Sequence, residues 1–291
     1  MIILVTGTTS GIGRVTAEAV AAAGHELIMA CRDPARAEAV RREIEAATGN
    51  ENIHVVRCDL ASVSSVRACA NEVRDRWRKL HVLINNAGTM TTRFQTSPDG
   101  LELTFAANYL GPWLLTRLLL ERLVAAGEAD GQARIVNVAS AVHRRGTLKI
   151  DVLGHETAGG FSGMQAYARS KLGNVMATLS LAEQLTGMPV TANCLHPGVV
   201  ATNIVGDTNA LLRLGMKLAS PLFLDARRGA ATSLHLALSP ELDGVSGAYY
   251  DEHQRLQAPA AAARDRDARE ALWAWSSRFC AVPQTPAGIG P

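Results

Sequence analysis

Short apolar runs alternate with longer stretches whose apolar positions recur every three or four residues, from the first residue onward. Residues 2–5 and 26–31 read as strands, with a helix over 12–23 between them that Gly24 stops. Pro34 suits the first turn of a second helix reaching about Thr48. Strands at 53–58 and 82–85 bracket a helix over 63–78, whose basic end (Arg74, Arg76, Arg78, Lys79) complements a helix C-terminus. A long apolar helix over 101–125, a fifth strand at 134–139, a helix carrying Tyr167 and a sixth strand at 190–195 follow. The alternation breaks over 203–224; then 228–238 is helical and 247–250 a short last strand. This order predicts one α/β domain over residues 1–280, a Rossmann-type doubly wound parallel sheet with helices on both faces. The Pro- and Gly-rich end, 281–291, reads as a disordered tail.

Candidate chemistry falls on the connections. The turn holding Gly7, Thr9, Ser10, Gly11, Ile12 and Gly13 joins the first strand to the first helix. Glycines there let the backbone approach a pyrophosphate, and the helix N-terminus faces its charge. The spacing is Gly-x-x-x-Gly-x-Gly, not the G-x-G-x-x-G of the common dinucleotide fingerprint. About 20 residues beyond the glycines an acid reads a ribose hydroxyl, whereas an arginine accommodates a 2′-phosphate. The sequence offers Cys31-Arg32-Asp33: Arg32 has the fork for a phosphate, and Asp33 reads best as the cap of the helix at Pro34. Arg14, just past the last glycine, is a candidate second phosphate ligand.

Tyr167 and Lys171 lie four residues apart, and Leu172, Val175, Met176 and Leu179 give their segment a helical stripe, so the phenol and ammonium share a face. A cation beside a phenol lowers its pKa toward the range of an acid/base catalyst. Ser140 ends the fifth strand, at the sheet edge where ligands bind, and its hydroxyl can stabilise charge growing on a carbonyl oxygen. Asn108 is a polar amide inside an apolar helix, costly unless paired. His143 and His196 read as structural.

Taken in order, the Thr6–Gly13 turn, Asp59-Leu60, Asn85-Asn86-Ala87-Gly88 and Tyr167-Ala168-Arg169-Ser170-Lys171 resemble the short-chain dehydrogenase/reductase family over about residues 1–250. Ala30-Cys31-Arg32-Asp33, the segment from Phe105 to Gly111 and that from Ser170 to Asn174 are similar to its retinol dehydrogenase and WW-domain oxidoreductase group. The resemblance implies an NADP(H)-dependent enzyme interconverting CH–OH and C=O, with Tyr167 as proton donor and acceptor, Ser140 beside it, Lys171 on the nicotinamide ribose and Asn108 holding a relay water. It also implies that Asp59 and Leu60 contact the adenine, that Asn86, Ala87 and Gly88 line the cofactor cleft, and that Arg32 selects NADP. Pro197 and Gly198 would shape the nicotinamide site and Thr202 would touch the carboxamide. A C=C reductase or epimerase on the same scaffold, and a silent cofactor-binding sensor, are the alternatives. The sequence lacks the N-terminal anchor of many retinol-acting members, so retinoid activity is not implied.

Composition narrows the setting. The formal net charge of +2 and the scattered arginine pairs give no nucleic-acid stripe. Five cysteines, odd in number and in no C-x-x-C pair, suit reduced thiols in the cytoplasm and no metal site. No signal h-region opens the chain and no apolar run reaches the roughly 18 residues of a membrane span. The apolar residues of 203–224, among them Leu211, Leu214 and Leu218, predict a lid over a bulky, apolar substrate. The helix over 101–125 is apolar round more of its circumference than one buried face needs, which favours a homodimer.

Overall fold

The computed structural model describes residues 1–198 and 225–284. Apolar runs form β1 (Ile2–Thr6), β2 (Glu26–Cys31), β3 (Ile53–Arg57), β4 (Val82–Asn85), β5 (Ala133–Val138) and β6 (Val190–Leu195). All pair in parallel in the order β3-β2-β1-β4-β5-β6; β1 lies between β2 (Val5 opposite Met29) and β4 (Val5 opposite Ile84). The chain adds β2 and β3 on one side of β1 and then crosses to add β4 on the other, so the crevice at its carboxyl end is the switch point where such sheets bind ligands. Two short strands finish the edge: β7 (Tyr249–Tyr250) is parallel to β6, and β8 (Leu256–Gln257) is antiparallel to β7. At two residues, β8 is too short to leave an alternation in the sequence.

Strand residues point alternately to two cores. Ile3, Val5 and Ile84 pack with α1 (Gly11–Ala22), α2 (Pro34–Thr48) and α6 (Ala226–Leu238), through residues such as Val20, Ile44 and Leu236. Leu4, Leu83 and Ile135 pack with α3 (Val63–Arg76), α4 (Gly111–Asp130), α5 (Gly163–Gln184) and α7 (Arg266–Phe279). Helix starts follow local chemistry: Asp33 caps α2 by accepting from Arg36 N (3.1 Å), and Ser62, Ser162 and Asp225 cap α3, α5 and α6.

Three expectations change. The long helix begins as a short turn at Leu103–Phe105, passes through a π turn at Ala106–Leu110, and ends at Asp130 rather than 125. Its last part is built from small and polar residues that carry no apolar stripe; Gly127 lets it lie directly on the Pro189 carbonyl. The second change is α7, capped by Asp265 (Ala268 N, 3.1 Å), which lies over α4 and α5. Trp273 meets Trp113 edge-on at 5.3 Å, and the Tyr109 hydroxyl bonds Ser276 Oγ at 2.8 Å. Leu114, Leu115, Leu119 and Leu120 are thereby fully buried within one chain, so the apolar surplus that argued for a homodimer is covered internally.

The third change concerns residues 281–284. Arg67 donates to the Cys280 carbonyl, Arg117 to those of Pro283 (2.6 Å) and Gln284 (3.2 Å), and Trp273 Nε1 to Gln284 O (2.9 Å). The chain is therefore held as far as Gln284, four residues beyond the expected boundary at 280. The expected lid at 203–224 lies outside the described residues.

Candidate active site

The β1–α1 turn carries Gly7, Thr9, Ser10, Gly11, Ile12 and Gly13 at the carboxyl edge of the sheet. Gly7 has φ +72°, and a Cβ there would sit 2.9 Å from Ala87 Cα; one at Gly13 would lie 2.2 Å from Gly7 O. These contacts let the turn nest against the segment after β4. Thr6 Oγ1 accepts from both Asn86 N and Ala87 N (3.0 Å each), and Asn86 Nδ2 donates to Thr6 O (2.9 Å). Ser10 stands at the N-cap of α1 without a side-chain cap bond, and the first turn contains no acid. Its N–H groups thus suit an anion, and the cradle fits a dinucleotide pyrophosphate.

Around this turn the other cofactor candidates converge. Asp59 and Leu60 follow β3, with Asp59 Oδ1 accepting from Ala61 N (3.0 Å) and Leu60 buried. Arg32 follows β2 and is exposed; beside it Cys31 Sγ contacts Thr8 Oγ1 at 3.0 Å, and burial pushes that thiol up. Arg14 is not a free phosphate ligand: it pairs with Glu18 (2.8 Å) and Glu43 (2.7 Å). Its four-residue spacing from Glu18 was a visible signal of that pairing. Sequence reading missed Arg36, whose exposed guanidinium reaches back from α2 to Thr9 O (3.4 Å). Its place one helical turn beyond Arg32 was the available clue.

Ser140, Tyr167 and Lys171 meet at the same edge. Ser140 lies two residues past β5, its Oγ accepts from Val142 N (3.3 Å), and its hydroxyl is near enough to the Tyr167 phenol to lower that group's pKa. Burial pushes the half-buried phenol up to about 12, against the nearby Ser140 hydroxyl, which lowers it. Burial also brings the Lys171 ammonium down to about 8. Lys171 is buried, donates to Val138 O (2.8 Å) and lies 5.7 Å from the Tyr167 ring centre. In the free protein desolvation therefore outweighs the lowering of Tyr167 expected from Lys171. One carbonyl satisfies one of three ammonium donors, so the others suit ribose hydroxyls. Pro197 and Gly198 follow β6, the strand paired with β5, whereas Thr202 lies outside the described residues.

The family model described as short chain dehydrogenase matches residues 1–212. The chain belongs to that family. Mouse (Mus musculus) retinol dehydrogenase 12 is 39% identical over 273 residues, spanning 94% of this chain and 84% of the relative. Human (Homo sapiens) retinol dehydrogenase 13 is 37% identical over 287 residues, 95% of this chain and 83% of the relative. A crystal structure of an uncharacterised protein from Mycobacterium paratuberculosis matches with a TM-score of 0.76 at 30% identity, covering 97% of this chain and 93% of that one. This short-chain dehydrogenase is accordingly an oxidoreductase of a family that uses NAD(P)(H) and acts on small molecules.

In this short-chain dehydrogenase Asn108 lies in the π turn, where the wider coil turns its amide toward the cleft. Its Oδ1 accepts from Thr89 N (2.7 Å), and its Nδ2 donates to Thr89 O (2.8 Å) and Ser170 Oγ (3.0 Å). Ser170 in turn donates to Tyr167 O (2.8 Å), so Asn108 joins the segment after Gly88 to the helix bearing Tyr167. A Cβ at Gly88 would meet Lys171 Nζ (3.5 Å) and Asn108 Oδ1 (3.7 Å), which places both polar groups beside that glycine. His196 faces Glu252 at 3.3 Å, beside Tyr249 and away from the Tyr167 group's hydrogen bonds. No helix among the described residues is long and apolar enough to cross a membrane.

Proposed function

We propose that this short-chain dehydrogenase is an NADP(H)-dependent carbonyl reductase or alcohol dehydrogenase, working in the cytoplasm on a bulky, largely apolar ketone, aldehyde or secondary alcohol. The observation that carries the reading is that Ser140, Tyr167 and Lys171 lie together, at the sheet edge that also carries the Gly-rich turn, with Lys171 against Gly88 and Gly7 against Ala87. When bound, the cofactor supplies or takes the hydride. Gly7, Thr9, Ser10, Gly11, Ile12 and Gly13 would hold its pyrophosphate, Asp59 and Leu60 its adenine, and Asn86, Ala87 and Gly88 the cleft wall. Lys171 would hold the nicotinamide ribose, with Pro197, Gly198 and Thr202 nearby.

Ser140 already accepts from the backbone, so its proton is free to point at a substrate oxygen. Tyr167, protonated at neutral pH, gives its proton to that oxygen in reduction and recovers it in oxidation. Asn108 holds the segment on which a relay water between Lys171 and solvent would rest. NADP rather than NAD is favoured by the exposed Arg32 and Arg36 on one side of the Gly-rich turn. Relatives named retinol dehydrogenases support an apolar alcohol class, and five free, buried thiols support a reducing compartment.

Incubation with NADPH or NADH and matched ketone, aldehyde and enone panels, with products identified by mass, tests this. Carbonyl reduction with NADPH is expected; saturation of the enone C=C with the carbonyl intact would instead select the ene-reductase reading. Arg32→Ala should weaken NADPH about ten- to a hundredfold, one charge-assisted contact of roughly 1.5–3 kcal/mol, and spare NADH. Equal loss of both cofactors would remove Arg32 from the phosphate site.

A further inference from the structure

His143 has no exposed surface and follows Ser140 in a single 3-10 turn, Ala141–Arg145. Its Nδ1 lies 2.8 Å from Ser140 O, and its Nε2 accepts from Ala260 N at 3.2 Å. A carbonyl can only accept and an amide N–H can only donate. These partners therefore fix the ring as neutral, with its proton on Nδ1. An imidazolium, or the other tautomer, would set an N–H against the Ala260 N–H. Burial, helped by the nearby Arg144 and His196 charges, lowers the His143 pKa despite the Ser140 carbonyl, which agrees with that state. Tyr249 closes the ring edge-on at 4.9 Å, and Arg144 Nη2 adds a parallel tie to Ala258 O (2.8 Å).

The turn thus hangs between two fixed bodies. On one side Gly146 presses it against the Ala168 carbonyl of the Tyr167 helix. On the other, His143 and Arg144 tie it to the segment 258–260, more than a hundred residues away in the chain. Val142, whose N–H holds Ser140 Oγ, lies inside this turn.

We propose that His143 is a positioning residue: its neutral imidazole, steadied at Nε2 by Ala260, holds the Ser140 carbonyl through its Nδ1–H and so aims the Ser140 hydroxyl at the reacting oxygen. The proposal rests on the reading of Ser140 and Tyr167 as the reacting pair. Among uncharged side chains, Asn can place an amide donor near the Nδ1 position and Gln an amide acceptor near Nε2, but neither does both. The two halves of the brace are therefore separable.

Three variants test it: His143→Phe, which keeps the ring packing and removes both bonds, His143→Asn and His143→Gln. Steady-state kinetics with NADPH and an active ketone would be set beside thermal melts of each. His143→Phe should lower kcat about tenfold, with the cofactor KM within about twofold, because the hydroxyl is misaimed but the cofactor cradle is untouched. His143→Asn should recover most of that loss, whereas His143→Gln should recover melting temperature but not kcat. The pH at which alcohol oxidation switches on should rise in the Phe and Gln variants and not in Asn, since Ser140 lowers the Tyr167 pKa. If kcat in the three follows melting temperature alone, or His143→Phe turns over at the wild-type rate, the positioning role is lost. Should the Phe variant fail to fold, the contrast between Asn and Gln decides. Absence of turnover in the wild type would remove the carbonyl-reductase reading itself, and this proposal with it.

Discussion

Burial drives the Tyr167 phenol up to about 12 and the Lys171 ammonium down to about 8, so the charged form of each is the disfavoured one. For Lys171 the unfolded value is near 10.5. Between about 8 and 10.5 the unfolded chain keeps a proton that the folded one has released, so stability rises with pH across that window. Below it the protein carries a buried charge whose main reward is cofactor binding. Lys171→Met should therefore stabilise the cofactor-free protein by about 2 kcal/mol at pH 7 while abolishing turnover, the gain shrinking toward pH 10. Thermal melts across that range check it; a lower melting temperature for the variant at pH 7 would refute the desolvation argument. Tyr167→Phe should remove turnover yet leave NADPH binding within about twofold, because only the hydroxyl is lost. Reduction should fade and oxidation gain as pH rises toward the phenol's value. The site residues were legible because each belongs to a short local motif, at a strand end or, for Tyr167 and Lys171, at one-turn spacing on a helix. Their electrostatics were not, since desolvation depends on neighbours from distant parts of the chain. Arg14 shows the same limit: Glu18 was in view four residues on, but Glu43 arrives from another helix.

Among elements, the helix from Leu103 to Asp130 shows how a break can be useful. The π turn directs Asn108 to Thr89, and Gly111 then brings α4 against Leu60, where an added Cβ would lie 2.1 Å from the carbonyl oxygen. Backbone on both sides leaves no flexible side chain to yield. Gly111→Ala should cost about 2–3 kcal/mol of stability and weaken cofactor binding through the displaced Leu60. Chemical denaturation and a cofactor titration measure the two effects; an unchanged midpoint would show that the helices can part cheaply. The strands and first helices were readable because apolar period and caps coincide there. The π turn was not, because its sequence, Ala106 to Leu110, is as apolar as the α-helix around it. Helix α7 carried its own Asp265 cap and apolar positions at Leu272, Trp273 and Trp275, but nothing local said which surface it would cover.

At the scale of the whole molecule, α7 and the segment to Gln284 occupy the face that an apolar α4 would otherwise present to a second copy. A monomeric mass by light scattering at micromolar concentration is expected. Deleting residues 265–291 should expose the surfaces beneath Leu272, Trp273 and Trp275 and drive self-association; a soluble monomeric truncation would show that this cover is dispensable. The same segment is gripped in an unusual manner. Arg67 and Arg117 hold only the backbone carbonyls of residues 280, 281, 283 and 284, groups that every amino acid possesses. Selection acting on this clasp therefore sees the number of residues in the stretch rather than their identity. Apart from Cys280 and Val282, which also pack on the core, its side chains are free to drift between generations, while a single deletion would slip each carbonyl past its arginine.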